Sequence, residues 1–76
     1  MIQIDLKLYV TLSKYHPSDG DAYRTEPGTT IGKLIEDLNI PDTLVKLIFI
    51  NGVRKNREYQ LKDKDRVGLF PPVGGG

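Results

Sequence analysis

The single histidine, His16, is the first side chain to consider for chemistry. General acid–base catalysis uses a histidine or paired carboxylates held in a pocket. His16 instead stands beside Pro17 in the polar stretch SKYHPSDGD, with no catalytic partner in view. We interpret His16 as a solvated loop side chain and not as a ligand or a catalytic group.

Two aspartate pairs, Asp19 with Asp21 and Asp63 with Asp65, have the D-x-D spacing seen in metal loops. A calcium loop needs further oxygen ligands and a glycine at a fixed position, which these pairs lack, so we assign both to turns. With no cysteine and one histidine, the sequence predicts neither a disulfide nor a zinc knuckle. We expect no bound metal and an intracellular protein.

One group of basic side chains, Arg54, Lys55 and Arg57, stands close to Tyr59. Such a group can contact phosphates or stack on bases. However, eleven basic and ten acidic residues give the chain a net charge of only +1, and no second basic stripe follows. We favour a solvated hairpin face and expect no nucleic-acid partner.

The chain closes on FPPVGGG, which has no reactive side chain. Ordering a glycine costs much conformational entropy, and no side chain packs in return. We therefore predict a globular domain over residues 1–70 and a flexible tail over residues 71–76 that ends in Gly-Gly. The glycines are not a phosphate loop, because no helix follows them.

The elements that would position these residues begin with a strand. Apolar and polar residues alternate from Ile2 to Leu12, and this period of two predicts a strand with one buried face. Residues 13–21 are rich in turn formers, and the short segment AYRTE should return antiparallel to the first strand. The N-terminus resembles no signal peptide and no apolar run approaches the roughly 20 residues of a membrane span, so we expect a cytoplasmic protein without membrane contact.

An amphipathic helix follows the sequence PGTT. Thr30 can cap a helix of about nine residues, which should end near Asn39 because Pro41 restricts the preceding residue. Its apolar positions follow helical spacing and must lie against the sheet: Ile31, Leu34, Ile35 and Leu38.

The second half of the chain predicts further strands. The run LIFI is followed by Asn51-Gly52, the pair best suited to a type I′ hairpin turn, and RVGLF forms the last strand. At this size the economical arrangement is an α+β fold, a mixed sheet of four to five strands with one main helix packed across one face. The last strand should sit centrally beside the first.

The solvent face of this sheet should carry three large apolar groups. If Val67 and Leu69 point at the helix, Tyr9 and Phe70 point away from it, and with Leu47 and Phe49 inward Ile48 would join them outside. Such a patch suggests a protein partner. Alternatively, edge loops cover it, or the third strand faces the other way and Ile50 matters instead.

These segments together resemble the ThiS/MoaD sulfur carriers, which are ubiquitin-like β-grasp proteins. The resemblance covers nearly the whole chain, through TIGKLIEDLNIP, LIFINGV and, most specifically, LKDKDRVGLFPPVGGG. It implies that the carboxylate of Gly76 is adenylated by a ubiquitin-activating-type enzyme and converted to a thiocarboxylate. The chain itself would bind no cofactor and be no enzyme, since the partner uses the ATP and Mg.

The resemblance also implies how the tail is used. Gly74 and Gly75 would thread into a narrow active site, and the four residues 73–76 span at most about 14 Å when extended. Pro71 and Pro72 fix φ and stiffen the exit from the sheet. We expect partner contacts from the residues around this exit: Tyr9, Ile48, Phe70, Pro71, Pro72 and Val73.

The pathway remains open between three alternatives. LFPPV is closer to the small, non-catalytic subunit of molybdopterin synthase, whose large subunit would contact Phe70 and Tyr9. The short length and the GGG end also suit the thiamin carrier, whose partner is thiazole synthase. The third alternative is a protein modifier conjugated through Gly76. The stretch KYHPSDGDAYR departs from the family's usual sequence after strand one. We expect a monomer when isolated, which meets an activating enzyme, a sulfur donor and a sulfur acceptor.

Overall fold

The computed structural model describes residues 1–72 and forms a five-stranded mixed sheet with one α-helix across one face. The strand order is β2-β1-β5-β3-β4. The α+β prediction is confirmed, whereas the tail residues Val73, Gly74, Gly75 and Gly76 lie outside the described residues. The elements are β1 (Ile2–Leu8), β2 (Tyr23–Thr25), α1 (Ile31–Asp37), β3 (Leu47–Ile50), β4 (Val53–Arg54) and β5 (Arg66–Phe70).

The first strand is shorter than predicted. β1 ends at Leu8, and a 3-10 helix spans Val10–Tyr15. Val10 takes a φ of 54° and is 73% exposed, so its predicted inward position is wrong. Leu12 is nevertheless fully buried, because the 3-10 turn returns it to the core. Alternation alone could not distinguish this turn from a longer strand.

The pairing around β1 follows the prediction. β2 runs antiparallel to it, with Ile4 opposite Tyr23. β5 lies centrally, parallel to β1 and antiparallel to β3. The last residues of β1 and β5 and the first residues of β3 therefore meet at the same end of the sheet.

The helix begins where the sequence predicts. The Thr30 hydroxyl accepts a hydrogen bond from the backbone N–H of Lys33 at 3.2 Å, which satisfies a donor at the helix start. α1 has seven residues and not the expected nine or so, because Leu38 caps it and Asn39 takes a φ of 61°. Leu38 is only half-buried, unlike the other apolar residues of the stripe.

Asn51 and Gly52 form the predicted hairpin turn, with φ values of 54° and 83°. The Asn51 side chain also joins the hairpin to the last strand, because its Oδ1 accepts from the N–H of Arg66 at 2.9 Å. The turn is thus fixed both by backbone conformation and by a side-chain contact.

The predicted orientation of β3 is wrong. Ile48 is 3% exposed and Ile50 is 2% exposed, and both face the helix. The reason is the pairing with β5, where Ile48 lies opposite Leu69 and Ile50 opposite Val67, since directly paired residues share a face. Ile48 is therefore a core residue. The described core comprises Ile4, Leu6, Leu8, Leu12, Ile31, Leu34, Ile35, Ile40, Val45, Ile48, Ile50, Leu61, Val67 and Leu69.

Candidate functional site

Three aromatic rings meet on the face of the sheet opposite the helix. Tyr9 and Phe70 stack with ring centroids 4.3 Å apart and an interplanar angle of 7°. Phe49 meets Phe70 edge to face, with centroids 5.6 Å apart at 84°. Tyr9 is 41% exposed, while Phe49 and Phe70 are half-buried. We call these three residues the aromatic patch.

Neighbouring strands bring the aromatic patch together. Phe70 ends β5 and Phe49 lies in β3, while Tyr9 follows β1 and donates its backbone N–H to the Leu69 carbonyl at 3.1 Å. The outward positions of Tyr9 and Phe70 are confirmed. Phe49 takes the place expected for Ile48, and only the reversed-face alternative for β3 could have identified it.

Gly68 leaves room for the rings. It lies opposite Phe49 and next to Lys7 across the sheet. A Cβ atom on Gly68 would lie 3.4 Å from Cε2 of Tyr9 and 3.7 Å from Cε1 of Phe70. The absence of a side chain thus opens a shallow groove of about 440 Å³ between the aromatic patch, Gly52 and the β5 residues Arg66 and Val67. Sequence reasoning missed this role.

The chain leaves the sheet beside the aromatic patch. The Phe70 carbonyl accepts from the backbone N–H of Lys46 at 2.8 Å, and Pro71 and Pro72 follow, both half-buried. Ile48, which was predicted to belong to this surface, lies in the core instead. Four other predicted contact residues lie together at the tail exit: Tyr9, Phe70, Pro71 and Pro72. The outcome for Val73 and the three glycines lies outside the described residues.

His16 is exposed, as predicted, but it is more than a solvated side chain. Its Nε2 lies 2.8 Å from the Leu6 carbonyl and its Nδ1 lies 2.9 Å from the Pro17 carbonyl. The ring also fills the space beside Gly20, where an added Cβ would fall 2.1 Å from Cε1 of His16. These contacts attach the long loop to the side of β1.

The aspartates take part in local structure. Asp21 pairs with Lys7 at 3.1 Å, and Asp63 accepts from the backbone N–H of Gln3 at 2.8 Å. Asp65 is only 5% exposed and accepts three hydrogen bonds. Within residues 1–72, no three potential metal-ligating side chains come together.

The basic cluster is divided by its contacts. Arg57 is an anchor, because its Nε donates to Oδ1 of Asp42 at 2.6 Å and its Nη2 donates to the carbonyl of Val45 at 2.7 Å. Arg54 and Lys55 make no ion pair within residues 1–72, and together with Arg57 they line a second groove of about 810 Å³. This groove is open to solvent on the edge of the sheet formed by β4.

Comparison with known proteins places this geometry in context. A model of the ThiS family matches residues 14–76. No curated protein sequence matches the chain. The described residues contain no helix with the length and apolar character of a membrane span.

Several solved structures share the ubiquitin-like β-grasp fold. A Pyrococcus furiosus protein provisionally named molybdopterin converting factor, subunit 1, is 24% identical with a TM-score of 0.73, over 96% of this chain and 100% of that one. The small archaeal modifier protein 1 of Haloferax volcanii is 17% identical with a TM-score of 0.72, at the same two coverages of 96% and 100%. The H. volcanii HVO 2177 protein is 24% identical with a TM-score of 0.73, over 99% and 87%.

Proposed function

Because this chain belongs to the ThiS family, we propose that it is a sulfur carrier whose Gly76 carboxylate is adenylated and then converted to a thiocarboxylate. The match reaches residue 76 and so includes the glycine tail. Membership of this family makes the chain a small ubiquitin-like carrier protein or subunit.

The proposed chemistry needs a partner enzyme. A carboxylate is a poor electrophile, so a separate adenylyltransferase uses Mg-bound ATP to form the acyl-adenylate and release pyrophosphate. A sulfide equivalent from the sulfur donor then attacks the acyl carbon and displaces AMP, which leaves the thiocarboxylate. This chain contributes the acyl group and the surfaces that dock it.

The observation that carries the proposal is the aromatic patch at the tail exit. Exposed aromatic rings at the centre of an interface supply much of its binding energy. The Tyr9–Phe70 stack lies where the chain leaves the sheet, so a partner that holds these rings also receives the tail. Gly74 and Gly75 carry no side chains to obstruct a narrow channel, and Pro71 and Pro72 restrict the tail upstream.

Among the sulfur-dependent pathways we propose molybdopterin synthesis, with this chain as the small subunit of the synthase. Two features support the choice. Phe70 and the following Pro71-Pro72-Val73 resemble the end of that subunit, and the P. furiosus structure carries a related name. The thiazole synthase of thiamin synthesis is the second candidate acceptor. Sulfur-transfer assays with each purified acceptor would distinguish them, because only the true acceptor should take sulfur from the thiocarboxylate.

Intact-mass spectrometry tests the carrier function. The purified chain is incubated with the activating enzyme of the same genome, ATP, Mg and a sulfide source. The expected product is heavier by the replacement of one oxygen by sulfur, and reactions without ATP show no change. Unaltered mass under conditions in which the enzyme adenylates the chain would contradict sulfur transfer.

Conjugation to proteins is the alternative that shares the activated glycine. It is favoured by the fold shared with the small archaeal modifier protein of H. volcanii. In that case the acyl group would pass to a lysine amine, and trypsin digestion of cell proteins would yield lysines that carry residues 67–76, because Arg66 is the last basic residue before the tail. If such modified lysines were found and no thiocarboxylate formed, the chain would be a protein modifier and not a sulfur carrier.

A further inference from the structure

A groove of about 810 Å³ lies on the β4 edge of the sheet, between β3 and residues 54–59. The backbone N–H of Lys55 donates to the Ile48 carbonyl at 3.0 Å, which keeps this segment alongside β3. Arg57 holds the far end by its contacts with Asp42 and Val45. The groove walls are thus fixed by backbone and ion-pair contacts. We call it the basic groove.

The charges in the basic groove are unbalanced. Its lining includes Lys46, Arg54, Lys55 and Arg57 and a single acid, Glu58. Asp42 neutralises Arg57, but within residues 1–72 no carboxylate lies within ion-pair distance of the other three cations. The whole chain has a net charge of only +1, so this excess is local. A local excess of one sign attracts a complementary surface.

The basic groove lies next to the tail exit, around the β4 edge of the sheet. Lys46 lines it and also donates its backbone N–H to the Phe70 carbonyl. Arg54 lines it too and lies directly opposite Phe49 of the aromatic patch. The two grooves share no lining residue, but these two links bring them close enough for a partner that covers the aromatic patch to reach around the edge to the basic groove.

From this proximity and charge we propose that the basic groove docks an acidic segment of the activating enzyme. The inference rests on the proposed function, since it names the chemistry of the surface that the same partner presents. The aromatic patch supplies apolar binding energy, and the basic groove steers and orients the encounter. Steering by charge acts mainly on the association rate.

A polypeptide segment fits the basic groove better than a phosphate ligand. Glu58 lies in the lining and would repel a compact polyanion, whereas a peptide can place a donor beside it. The Oδ1 atom of Asn56 already accepts from the backbone N–H of Glu58 at 2.9 Å, so this turn does not offer that N–H to an anion.

Matched charge reversals test the inference. The double variant Arg54→Glu/Lys55→Glu reverses the groove, and Arg24→Glu/Lys14→Glu makes the same changes elsewhere. Arg24 lies on β2 at the opposite edge of the sheet, and Lys14 lies 5.4 Å from the ring of Tyr15 much as Lys55 lies 5.5 Å from that of Tyr59. Thermal unfolding of both variants checks that each remains folded. Association with the activating enzyme is then followed by stopped-flow fluorescence at low and high salt.

At low salt the groove variant should associate roughly tenfold more slowly than the wild type, while the control stays within about twofold. The difference in association rate should shrink at about 0.5 M NaCl, because salt screens exposed charges.

Equal rates for the two double variants, with normal adenylation of the wild type, would overturn the inference and leave the carrier function intact. A wild type that neither binds nor is adenylated would overturn both. The isolated chain is also titrated with inorganic phosphate or ATP while the amide NMR signals of residues 54–59 are followed. Shifts at micromolar concentration would show that the groove binds a small anion and would overturn the acidic segment as its occupant.

Discussion

Asp65 joins three parts of the second half of the chain. Its Oδ1 accepts from Nδ2 of Asn51 at 3.0 Å, and its Oδ2 accepts from the Tyr59 hydroxyl and the Lys62 N–H, both at 2.9 Å. The hairpin turn, the loop behind the basic groove and the turn before β5 thus share one buried carboxylate. The D-x-D spacing indicated a turn but not this burial, because the sequence does not show which distant donors a carboxylate meets.

We predict that Tyr59→Phe lowers the free energy of unfolding by about 1 kcal/mol at neutral pH, since it removes one hydrogen bond to Asp65. Burial, and then the hydrogen bond and charge of Asp65, raise the pKa of Tyr59 above its ordinary value of 10.0. The neutral phenol is the form that the fold favours, so its stabilisation is complete below pH 10.0 and is lost as pH rises through the raised pKa.

Urea unfolding from about pH 8 to about pH 11 measures this effect. The difference between wild type and Tyr59→Phe should narrow above pH 10.0. Tyr9→Phe is the control, because the Tyr9 ring stacks on Phe70 on the outer face of the sheet. A difference that stays constant across the alkaline range would show that the Tyr59 hydroxyl does not stabilise the fold.

A second residue-level prediction concerns Gly20. Its substitution by alanine places a Cβ atom 2.1 Å from Cε1 of His16, so the ring must move and its contact with the Leu6 carbonyl is lost. We expect Gly20→Ala to reduce the free energy of unfolding by roughly 1–2 kcal/mol. The same change in a His16→Ala background should cost much less. Equal costs in both backgrounds, measured by denaturant unfolding, would mean that the ring does not occupy this space.

Within β5, adjacent residues face opposite sides and should respond differently to truncation. Leu69 is fully buried, and Leu69→Ala should cost about 2–5 kcal/mol of unfolding free energy. Phe70→Ala loses its two aromatic contacts but leaves the core filled, so we expect a smaller cost of roughly 1–2 kcal/mol.

Phe70→Ala should also weaken binding to the activating enzyme or the sulfur acceptor by about 2 kcal/mol or more, a roughly thirtyfold loss of affinity. Titration calorimetry and thermal unfolding on one preparation measure both effects. A large loss of stability with unchanged affinity would assign Phe70 to folding alone and remove the aromatic patch from the proposed interface.

The elements that sequence predicts well are those set by local chemistry. Asn51-Gly52 requires positive φ, Thr30 satisfies a helix donor, and RVGLF alternates over its full length. The end of β1 and the face of β3 depend on distant contacts. LIFI is apolar at every position, so only its pairing with β5 decides that Ile48 lies inside and Phe49 outside.

The residues of the candidate site likewise include some that the sequence could predict and some that it could not. Tyr9 and Phe70 follow from alternation on clearly patterned strands, so their outward positions could be predicted. Phe49, the open space above Gly68 and the separation of Arg57 from Arg54 and Lys55 could not. Each depends on a partner far along the chain, such as Asp42 for Arg57.

For the molecule as a whole, we predict that the isolated chain neither binds Mg-ATP tightly nor hydrolyses it. The described residues bring together no nucleophile, base and oxyanion site, and both grooves are open to solvent. Titration calorimetry with Mg-ATP should give no binding heat at micromolar protein. Nucleotide turnover should begin only when the activating enzyme is added. Micromolar binding of Mg-ATP by the isolated chain would contradict this prediction, and hydrolysis of the bound nucleotide would assign the chain a catalytic role of its own.

The most direct test of the sulfur-carrier proposal is the mass of the C-terminal residue after activation. Wild type, a variant lacking Gly76 and a variant with one residue added after Gly76 are each incubated with the activating enzyme, ATP, Mg and sulfide. Fragmentation of the intact proteins then locates any change. The account predicts an oxygen-to-sulfur exchange at Gly76 of the wild type and none in either variant, with similar thermal unfolding of all three. An exchange in the extended variant, or one located away from Gly76 in the wild type, would contradict it.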